Sequence, residues 1–143
     1  MPTKAYCPLS NWRTILPDMQ DFFLVGTGGF AGAVFRYYFG GWVFHLHPQS
    51  KFPLSTLLVN LIGCLLIGSL GALAHHFNAF SPQSRLFIFT GVLGGFTTFS
   101  AFGFETFYLL RNNEVGLAIL NVLVTVCFGL FLVWLGDRAI GSL

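Results

Sequence analysis

Residues 91–106 decide the fold, and they read Gly-Val-Leu-Gly-Gly-Phe-Thr-Thr-Phe-Ser-Ala-Phe-Gly-Phe-Glu-Thr. The stretch lies inside an apolar segment that is long enough to cross a bilayer, yet Gly94-Gly95 followed by Thr97-Thr98 is poor helix-forming sequence. Irregular backbone survives at this depth only when it is buried in protein or lines a cavity. We therefore predict a broken helix whose freed carbonyls are hard oxygen ligands, suited to a hard cation.

Three further apolar segments surround this one, so four spans are predicted in all. Each span reaches the roughly 20 residues that a membrane helix needs, and the connectors between them are short. The approximate spans are 22–44, 54–74, 86–110 and 115–135. We expect an all-α integral membrane protein with four transmembrane helices, the third of them broken. A polar N-terminal tail at 1–21 precedes a single transmembrane domain at 22–143.

Composition supports a membrane protein and excludes other classes. The 143 residues include seven Lys or Arg and five Asp or Glu, 8% of the chain, and 55% are hydrophobic. Water-soluble domains carry about 25% charged residues, so an ordinary cytosolic enzyme is excluded. A disordered chain is excluded by the same apolar excess. A net charge of +2 without a basic run excludes nucleic acid as a partner, because there is no footprint for phosphates.

The positive charges barely orient the protein in the membrane. The side that holds the tail carries four of them, and the opposite side carries two, or three if Arg36 snorkels. The four are Lys4, Arg13, Arg85 and Arg138, and the two are Lys51 and Arg111. Orientation is set by a clear Lys and Arg excess on one side, so this weak excess leaves insertion in both directions open. An antiparallel dimer then becomes available.

Two polar residues of the first two spans have two interpretations each. Arg36 either snorkels to the surface or lines an aqueous vestibule, where its charge attracts anions. Asn60 either makes an interhelical hydrogen bond, typically worth about 1 kcal/mol, or donates to a dehydrated anion, because its amide offers two donors and an acceptor. The Gly28-x-x-x-Gly32 spacing suits close helix packing.

The last two spans carry further candidates. Phe99 and Phe102 share one helix face, and their electropositive ring edges contact an anion unless the pair simply packs against lipid or protein. Asn121, Thr125 and Gly129 are four residues apart and form one stripe, which either lines a narrow path or packs helices.

Acid–base chemistry has little support in the spans. Glu105 is the only carboxylate well inside a span, and we expect it to face protein or water because lipid exposure is costly. The sequence contains no nucleophile–base pair, HExxH, CxxC or Walker loop, so an enzyme is not expected.

Three blocks of sequence stand out, one in each of the first three spans. They read Gly28-Gly29-x-x-Gly32-Ala33-x-x-Arg36-Tyr37, Thr56-Leu57-x-Val59-Asn60-x-x-Gly63 and Gly91-x-x-Gly94-Gly95-Phe96-Thr97-Thr98-Phe99-Ser100-x-Phe102-x-x-Glu105. Each block is moderately specific, and all three in order are highly specific. Over about residues 22–138 the chain resembles the small fluoride channels known as Fluc or CrcB proteins.

The resemblance implies an antiparallel, dual-topology homodimer with two fluoride pathways, each using residues of both subunits. In the family, two phenylalanines of the broken third helix line the pore together with a polar residue of the second helix and hydroxyl donors. The pathway residues implied here are Asn60, Phe99, Phe102, Ser100, Thr125, Arg36 and Glu105.

A structural sodium ion (Na+) at the dimer centre is also implied by the resemblance. Backbone carbonyls hold it, and they map to Gly94 and Thr97, two oxygens from each subunit. One departure concerns the family block that commonly reads Phe-Ser-Thr-Phe. This chain has Ala101 in place of the threonine, so one possible hydroxyl donor of the pathway is missing.

The implied function is passive export of cytoplasmic fluoride through the inner or plasma membrane, which relieves fluoride toxicity. Its partners are the fluoride ion, a second copy of the chain and the lipid bilayer, and a heterodimer with a paired chain stays open. The alternative is a proton- or sodium-coupled small-anion transporter with Glu105 carrying the proton, although transporters usually have larger chains with internal repeats. A third interpretation is a structural subunit whose glycines and phenylalanines only pack.

Overall fold

A computed structural model describes residues 18–77 and 79–142, and every regular element among them is helical. The all-α prediction is confirmed, and residues 1–17 of the predicted tail lie outside the described residues. The third segment consists of four helical pieces, divided into an N-terminal half (82–96) and a C-terminal half (Phe99–Arg111). The elements are the first helix Met19–Leu46, the second helix Leu54–His76, the third-segment pieces Pro82–Arg85, Leu86–Leu93, Gly94–Phe96 and Phe99–Arg111, and the last helix Val115–Gly141.

Three of these elements are long and apolar enough to cross a membrane. They are Leu54–His76, Pro82–Arg111 and Val115–Gly141, and they match the last three predicted spans. The first helix has 28 residues, or about 42 Å at 1.5 Å per residue. Its length also permits a crossing, but its glycines and Arg36 make it less apolar than the other three.

The first helix packs against the N-terminal half of the third segment through glycines on both sides. A Cβ atom added to Gly28 would lie 3.0 Å from the Gly91 Cα, and one added to Gly95 would collide with the Gly29 backbone. Gly32 meets the backbone of the third segment in the same way. Small residues let backbones approach closely and gain van der Waals contact. The predicted packing role of the Gly28-x-x-x-Gly32 spacing is confirmed.

The second helix packs mainly against the last helix, again across glycines. A Cβ atom on Gly136 would lie 2.6 Å from the Leu65 carbonyl oxygen, and one on Gly68 would collide with the Val133 backbone. The molecule therefore consists of two tightly packed helix pairs. The C-terminal half of the third segment joins them by contacting the last helix.

Polar contacts show at which end of the helices each connector lies. Lys51, which follows the first helix, forms an ion pair with Glu114, which precedes the last helix, with Nζ 2.5 Å from Oε1. Arg85 Nη2 donates to the Ala74 carbonyl oxygen at 2.8 Å and ties the other connector to the end of the second helix. The hydrogen bond to Glu114 and its negative charge raise the pKa of the Lys51 ammonium. The connectors after the first helix and after the third segment thus share one end.

The third segment is irregular at two places. Leu86–Leu93 is a π-helix, which the sequence does not predict. Thr97 and Thr98 adopt extended backbone, with ψ angles of 155° and 116°. Because Gly94–Phe96 stays helical, the predicted break is confirmed but lies at the threonines rather than at the glycines. The helix restarts with the Thr98 hydroxyl as its cap, which accepts the Ala101 N–H at 3.3 Å.

Candidate functional site

The break in the third segment is bridged by one side chain of the second helix. Asn60 Oδ1 accepts the Thr98 backbone N–H at 2.9 Å. Asn60 Nδ2 donates to the Thr98 carbonyl oxygen at 3.1 Å. Asn60 thus makes the interhelical hydrogen bond that the sequence offered as one interpretation, and it makes it to backbone. One N–H of the carboxamide remains, because the amide carries two donors.

The same arrangement frees the carbonyls of Gly94 and Thr97. In a continuous helix the Gly94 carbonyl would accept the N–H four residues later, at Thr98. That N–H binds Asn60 instead. The Thr97 carbonyl would accept the Ala101 N–H, which binds the Thr98 hydroxyl instead. Both carbonyls therefore have the lone pairs that an oxygen-ligated cation needs, and the residues fit the sodium site that the resemblance implies.

A cleft of about 390 Å³ lies between the second helix, the third segment and the last helix. Most of its wall is apolar, with a few polar groups that converge on it. Such a mixture is typical of small-ligand sites in proteins. Six of the nine residues that the sequence singles out line the cleft, namely Asn60, Gly94, Thr97, Phe99, Phe102 and Thr125.

The Thr125 hydroxyl is the most unusual polar group of the cleft. Its oxygen is buried, and it has no hydrogen-bond partner among residues 18–77 and 79–142. A threonine inside a helix commonly satisfies its hydroxyl by bonding the carbonyl four residues earlier, and buried polar groups are nearly always paired. The hydroxyl therefore keeps an unused hydrogen-bonding capacity next to the cleft.

The two phenylalanines of the cleft lie side by side, as their spacing predicts. The ring centroids of Phe99 and Phe102 are 5.6 Å apart, with an interplanar angle of 47°. Phe99 is 83% exposed, so its ring projects from the chain at the edge of the cleft. The ring thus stands at an open edge of the cleft.

Glu105 lies outside the cleft, beside a second cavity of about 210 Å³ that Lys51 and His47 also line. Thr56 Oγ1 donates to Glu105 Oε1 at 2.7 Å. Glu105 Oε2 is buried and has no partner in the described part of the chain. As predicted, the carboxyl group faces protein, and its second oxygen keeps an unused hydrogen-bonding capacity.

The two remaining candidates, Ser100 and Arg36, line neither cavity. Ser100 is exposed beside the break, with its hydroxyl 3.3 Å from the Thr98 hydroxyl. Arg36 is half-buried on the first helix. Their roles in a pathway stay predictions that rest on the resemblance.

The predicted stripe on the last helix divides into three roles. Asn121, which is 1% exposed, donates to the Thr106 hydroxyl at 2.9 Å. Thr125 faces the cleft, and Gly129 allows the Cys64 thiol to approach. The sequence does not point to Thr106, because a single threonine among apolar residues carries no pattern.

Together these features define a class, a multi-pass helical membrane protein with a largely apolar cleft, into which a few polar groups converge, at a helix break. Among residues 18–77 and 79–142, the lining supplies amide, hydroxyl and aromatic groups and contains no Asp, Glu, Lys, Arg or His. Neutral donors of this kind substitute for the hydration shell of an ion in membrane pores.

The chain belongs to the CrcB family, because the family model described as "CrcB-like protein, Camphor Resistance (CrcB)" matches residues 23–137. A relative named "Fluoride-specific ion channel FluC" from Methylobacillus flagellatus is 46% identical over 118 residues, 82% of this chain and 92% of the relative. "Fluoride-specific ion channel FluC 3" from Methanosarcina barkeri is 42% identical over 118 residues, 82% and 88% of the two chains. A Thermus thermophilus "Fluoride-specific ion channel FluC" is 43% identical over 125 residues, 87% and 97%.

The family assignment confirms the resemblance seen in the sequence. The relatives are named as ion channels and not as enzymes, in agreement with the absence of an enzyme motif in the sequence. Together with the apolar helices, the family assigns the chain as a multi-pass protein of the plasma membrane, as predicted.

Proposed function

We propose that the chain is a fluoride-selective channel that exports cytoplasmic fluoride passively and so relieves fluoride toxicity. The names of its relatives support fluoride as the ion. The observation that carries the proposal is the cleft, in which the unpartnered Thr125 hydroxyl and the remaining Asn60 N–H lie with the rings of Phe99 and Phe102.

The physical demand on such a pathway is the replacement of water around a small anion. Even a carboxylate pays on the order of 20 kcal/mol on entering a medium of low dielectric constant, by an idealised Born estimate. Amide and hydroxyl donors together with electropositive ring edges compensate for lost hydration without binding fluoride so tightly that it cannot leave. Chloride is larger and fits a narrow lining of this kind less well.

A second copy of the chain, inserted in the opposite direction, is the partner that we propose. Support comes from the weak charge asymmetry of the sequence and from the open side of the cleft, where the Phe99 ring is 83% exposed. An antiparallel homodimer would close two clefts at once, one for each subunit. We also propose that the first helix, whose 28 residues are long enough, crosses the membrane, which gives four crossings for each chain.

The freed carbonyls of Gly94 and Thr97 would hold a structural sodium ion at the centre of this dimer. The ion supplies positive charge that offsets the crowding of carbonyl dipoles, and hard oxygen ligands suit a hard cation. Gly94 contributes an exposed backbone position to the cleft, where a neighbouring subunit can approach.

Fluoride efflux from liposomes that contain only this protein tests the proposal. Valinomycin carries the counter-charge, and chloride is the control anion. We expect fast fluoride release and no chloride release, unchanged when proton and sodium gradients are absent. Folded protein that releases no fluoride would contradict the proposal and favour a missing partner chain or a structural subunit.

A coupled transporter is the second candidate, and Glu105 is the observation that favours it. The unpartnered Oε2 atom could carry a proton between the cavity and the protein interior. A Glu105→Gln variant cannot exchange that proton but keeps the size and the acceptor for Thr56. Loss of proton-driven fluoride uptake in this variant would support coupling, whereas gradient-independent flux in the unaltered protein would exclude it.

A further inference from the structure

We infer that Asn60 is a positioning residue, which holds the break of the third segment in place and thereby orients the cleft. The inference rests on the proposed conduction through the cleft, and it concerns a role that differs from direct contact with the ion. Its basis is the pair of hydrogen bonds that the Asn60 carboxamide makes to the backbone of one residue, Thr98.

The Thr98 carbonyl differs from those of the other helix-capping residues. The carbonyls of Asp18, Pro53 and Glu114 each accept the backbone N–H four residues later, at 3.2, 3.1 and 3.0 Å. The Thr98 carbonyl accepts Asn60 Nδ2 instead. A side chain of another helix therefore takes the place of a backbone partner at this one cap. An unpaired backbone group would be especially costly in an apolar surrounding, so the break depends on Asn60.

The orientation of the carboxamide follows from the same contacts. A backbone N–H only donates and a carbonyl only accepts, so Asn60 must present Oδ1 to the Thr98 N–H and Nδ2 to the Thr98 carbonyl. A flipped amide would set donor against donor and acceptor against acceptor. The second N–H of the amide is thereby fixed at the wall of the cleft, which Asn60 lines.

Two other features of the site depend on the two hydrogen bonds between Asn60 and Thr98, which we call the brace. The Gly94 carbonyl is free because Asn60 captures the N–H that would otherwise bind it. The Phe99 ring follows Thr98 directly in the chain, so the position of the ring is set where the helix restarts. Loss of the brace should therefore disturb the carbonyl and the ring together.

Hydrogen–deuterium exchange of the purified protein, measured in peptides that span residues 94–101, tests the brace without relying on ion flux. In Asn60→Ala we expect the Thr98 amide to exchange about tenfold or more faster than in the unaltered protein, because its acceptor is gone. Asn60→Asp keeps an acceptor for that N–H and loses only the donor, so protection at Thr98 should persist.

Asn121→Ala is the matched control. The Asn121 amide also reaches from a neighbouring helix, the last one, to the third segment. It donates to the Thr106 hydroxyl and not to the backbone of the break. We expect this variant to leave exchange at residues 94–101 unchanged even if the whole protein becomes less stable. Faster exchange throughout the protein in Asn60→Ala, with protection retained in Asn60→Asp, would still support the brace.

The fluoride-to-chloride selectivity of the same variants separates a positioning residue from a simple ligand. A brace predicts that Asn60→Ala loses selectivity as well as flux, because Phe99 is displaced. Lost fluoride flux with normal exchange at Thr98 would overturn the inference and leave Asn60 as a ligand only. Equally fast exchange in Asn60→Asp and Asn60→Ala would also overturn it. Failure of the unaltered protein to conduct fluoride would reject the proposed function, while the exchange data would still decide on the brace.

Discussion

The two halves of the third segment are held by different kinds of contact. The N-terminal half, residues 82–96, packs on the first helix with backbone against backbone at glycines. The C-terminal half, Phe99–Arg111, and its capping residue Thr98 are held through side-chain hydrogen bonds from Asn60 and Thr56 on the second helix and from Asn121 on the last. One continuous stretch of chain thus changes its mode of packing at the break.

This difference in packing separates contacts that only stabilise the fold from contacts that bring polar atoms into the protein. Glycine contacts in a membrane gain van der Waals energy without using polar side chains. The half held by hydrogen bonds brings polar atoms into the protein, and two buried oxygens have no partner in the described residues, Glu105 Oε2 in this half and Thr125 Oγ1 on the last helix. Spare hydrogen-bonding capacity of this kind is what an ion pathway needs.

The largest effect is expected from Gly32→Ala, in the half held by glycines. The added Cβ would collide with the Val92 carbonyl oxygen and lie 2.8 Å from the Phe96 nitrogen, so two backbones must separate. Overpacking of this kind costs about 1–3 kcal/mol or more. We expect a strong fall in the yield of folded protein and in its thermal midpoint, measured by size-exclusion chromatography and thermal unfolding.

Gly26→Ala on the same helix is the control, because a Cβ there meets nothing within 4 Å. Replacing a helical glycine with alanine should stabilise the helix by about 0.5–1 kcal/mol. Equal yields and midpoints for the Gly32 and Gly26 variants would contradict close packing between the first helix and the third segment.

Thr125→Val should have the opposite signature, a loss of flux without a loss of stability. Valine keeps the shape of threonine and removes a buried hydroxyl that has no partner, so thermal stability should hold or increase. A hydrogen bond to a charged group contributes about 1.5–3 kcal/mol, and its loss should lower fluoride efflux by about tenfold or more. Thr27→Val is the control, since the Thr27 hydroxyl donates to the Phe23 carbonyl at 2.6 Å. Unchanged efflux in Thr125→Val would remove this hydroxyl from the pathway.

The sequence predicts the half held by glycines better than the other half. A Gly-x-x-x-Gly spacing reports directly on helix approach, as Gly28 and Gly32 illustrate, because only absent side chains allow it. The break was also predictable, since Thr97-Thr98 follows two glycines. Its position at the threonines depends on hydrogen bonds from Asn60 on another helix. Local helix propensity takes no account of such tertiary contacts.

The partners of the polar side chains could not be predicted from the sequence. Asn60, Asn121 and Thr125 are all polar residues on apolar helices, and helical periodicity places Asn121 and Thr125 on one face. Only the structure shows that Asn60 bonds to backbone and that Asn121 bonds to Thr106. It also shows that the Thr125 hydroxyl has no partner in the described residues. The π-helix at Leu86–Leu93, which packs against the first helix, likewise has no signature in the sequence.

A smaller effect is expected from Thr106→Val, which removes the acceptor for the Asn121 amide. Hydrogen bonds between membrane helices are worth about 1 kcal/mol or less, so the thermal midpoint should fall by much less than in Gly32→Ala. Fluoride efflux per folded protein should stay normal, because Thr106 does not line the cleft. A loss of efflux as large as that of Thr125→Val would mean that the hydrogen bonds of the C-terminal half act as one network.

The smallest effect is expected from Lys51→Gln, which breaks the ion pair between two connectors. The Lys51 side chain is 73% exposed, and exposed pairs contribute little and are screened by salt. Because Glu114 raises the pKa of Lys51 above its ordinary 10.5, the pair contributes in full at neutral and mildly alkaline pH. Its contribution is lost only as the pH rises through the higher pKa of the folded state. Between pH 6 and pH 9 the variant should therefore show one constant, small difference in thermal midpoint at low salt, and none at high salt. Glu114→Gln should reproduce that difference, and the double variant should add nothing to it. A loss comparable with that of Gly32→Ala would mean that the connectors, and not the glycine contacts, hold the helix pairs together.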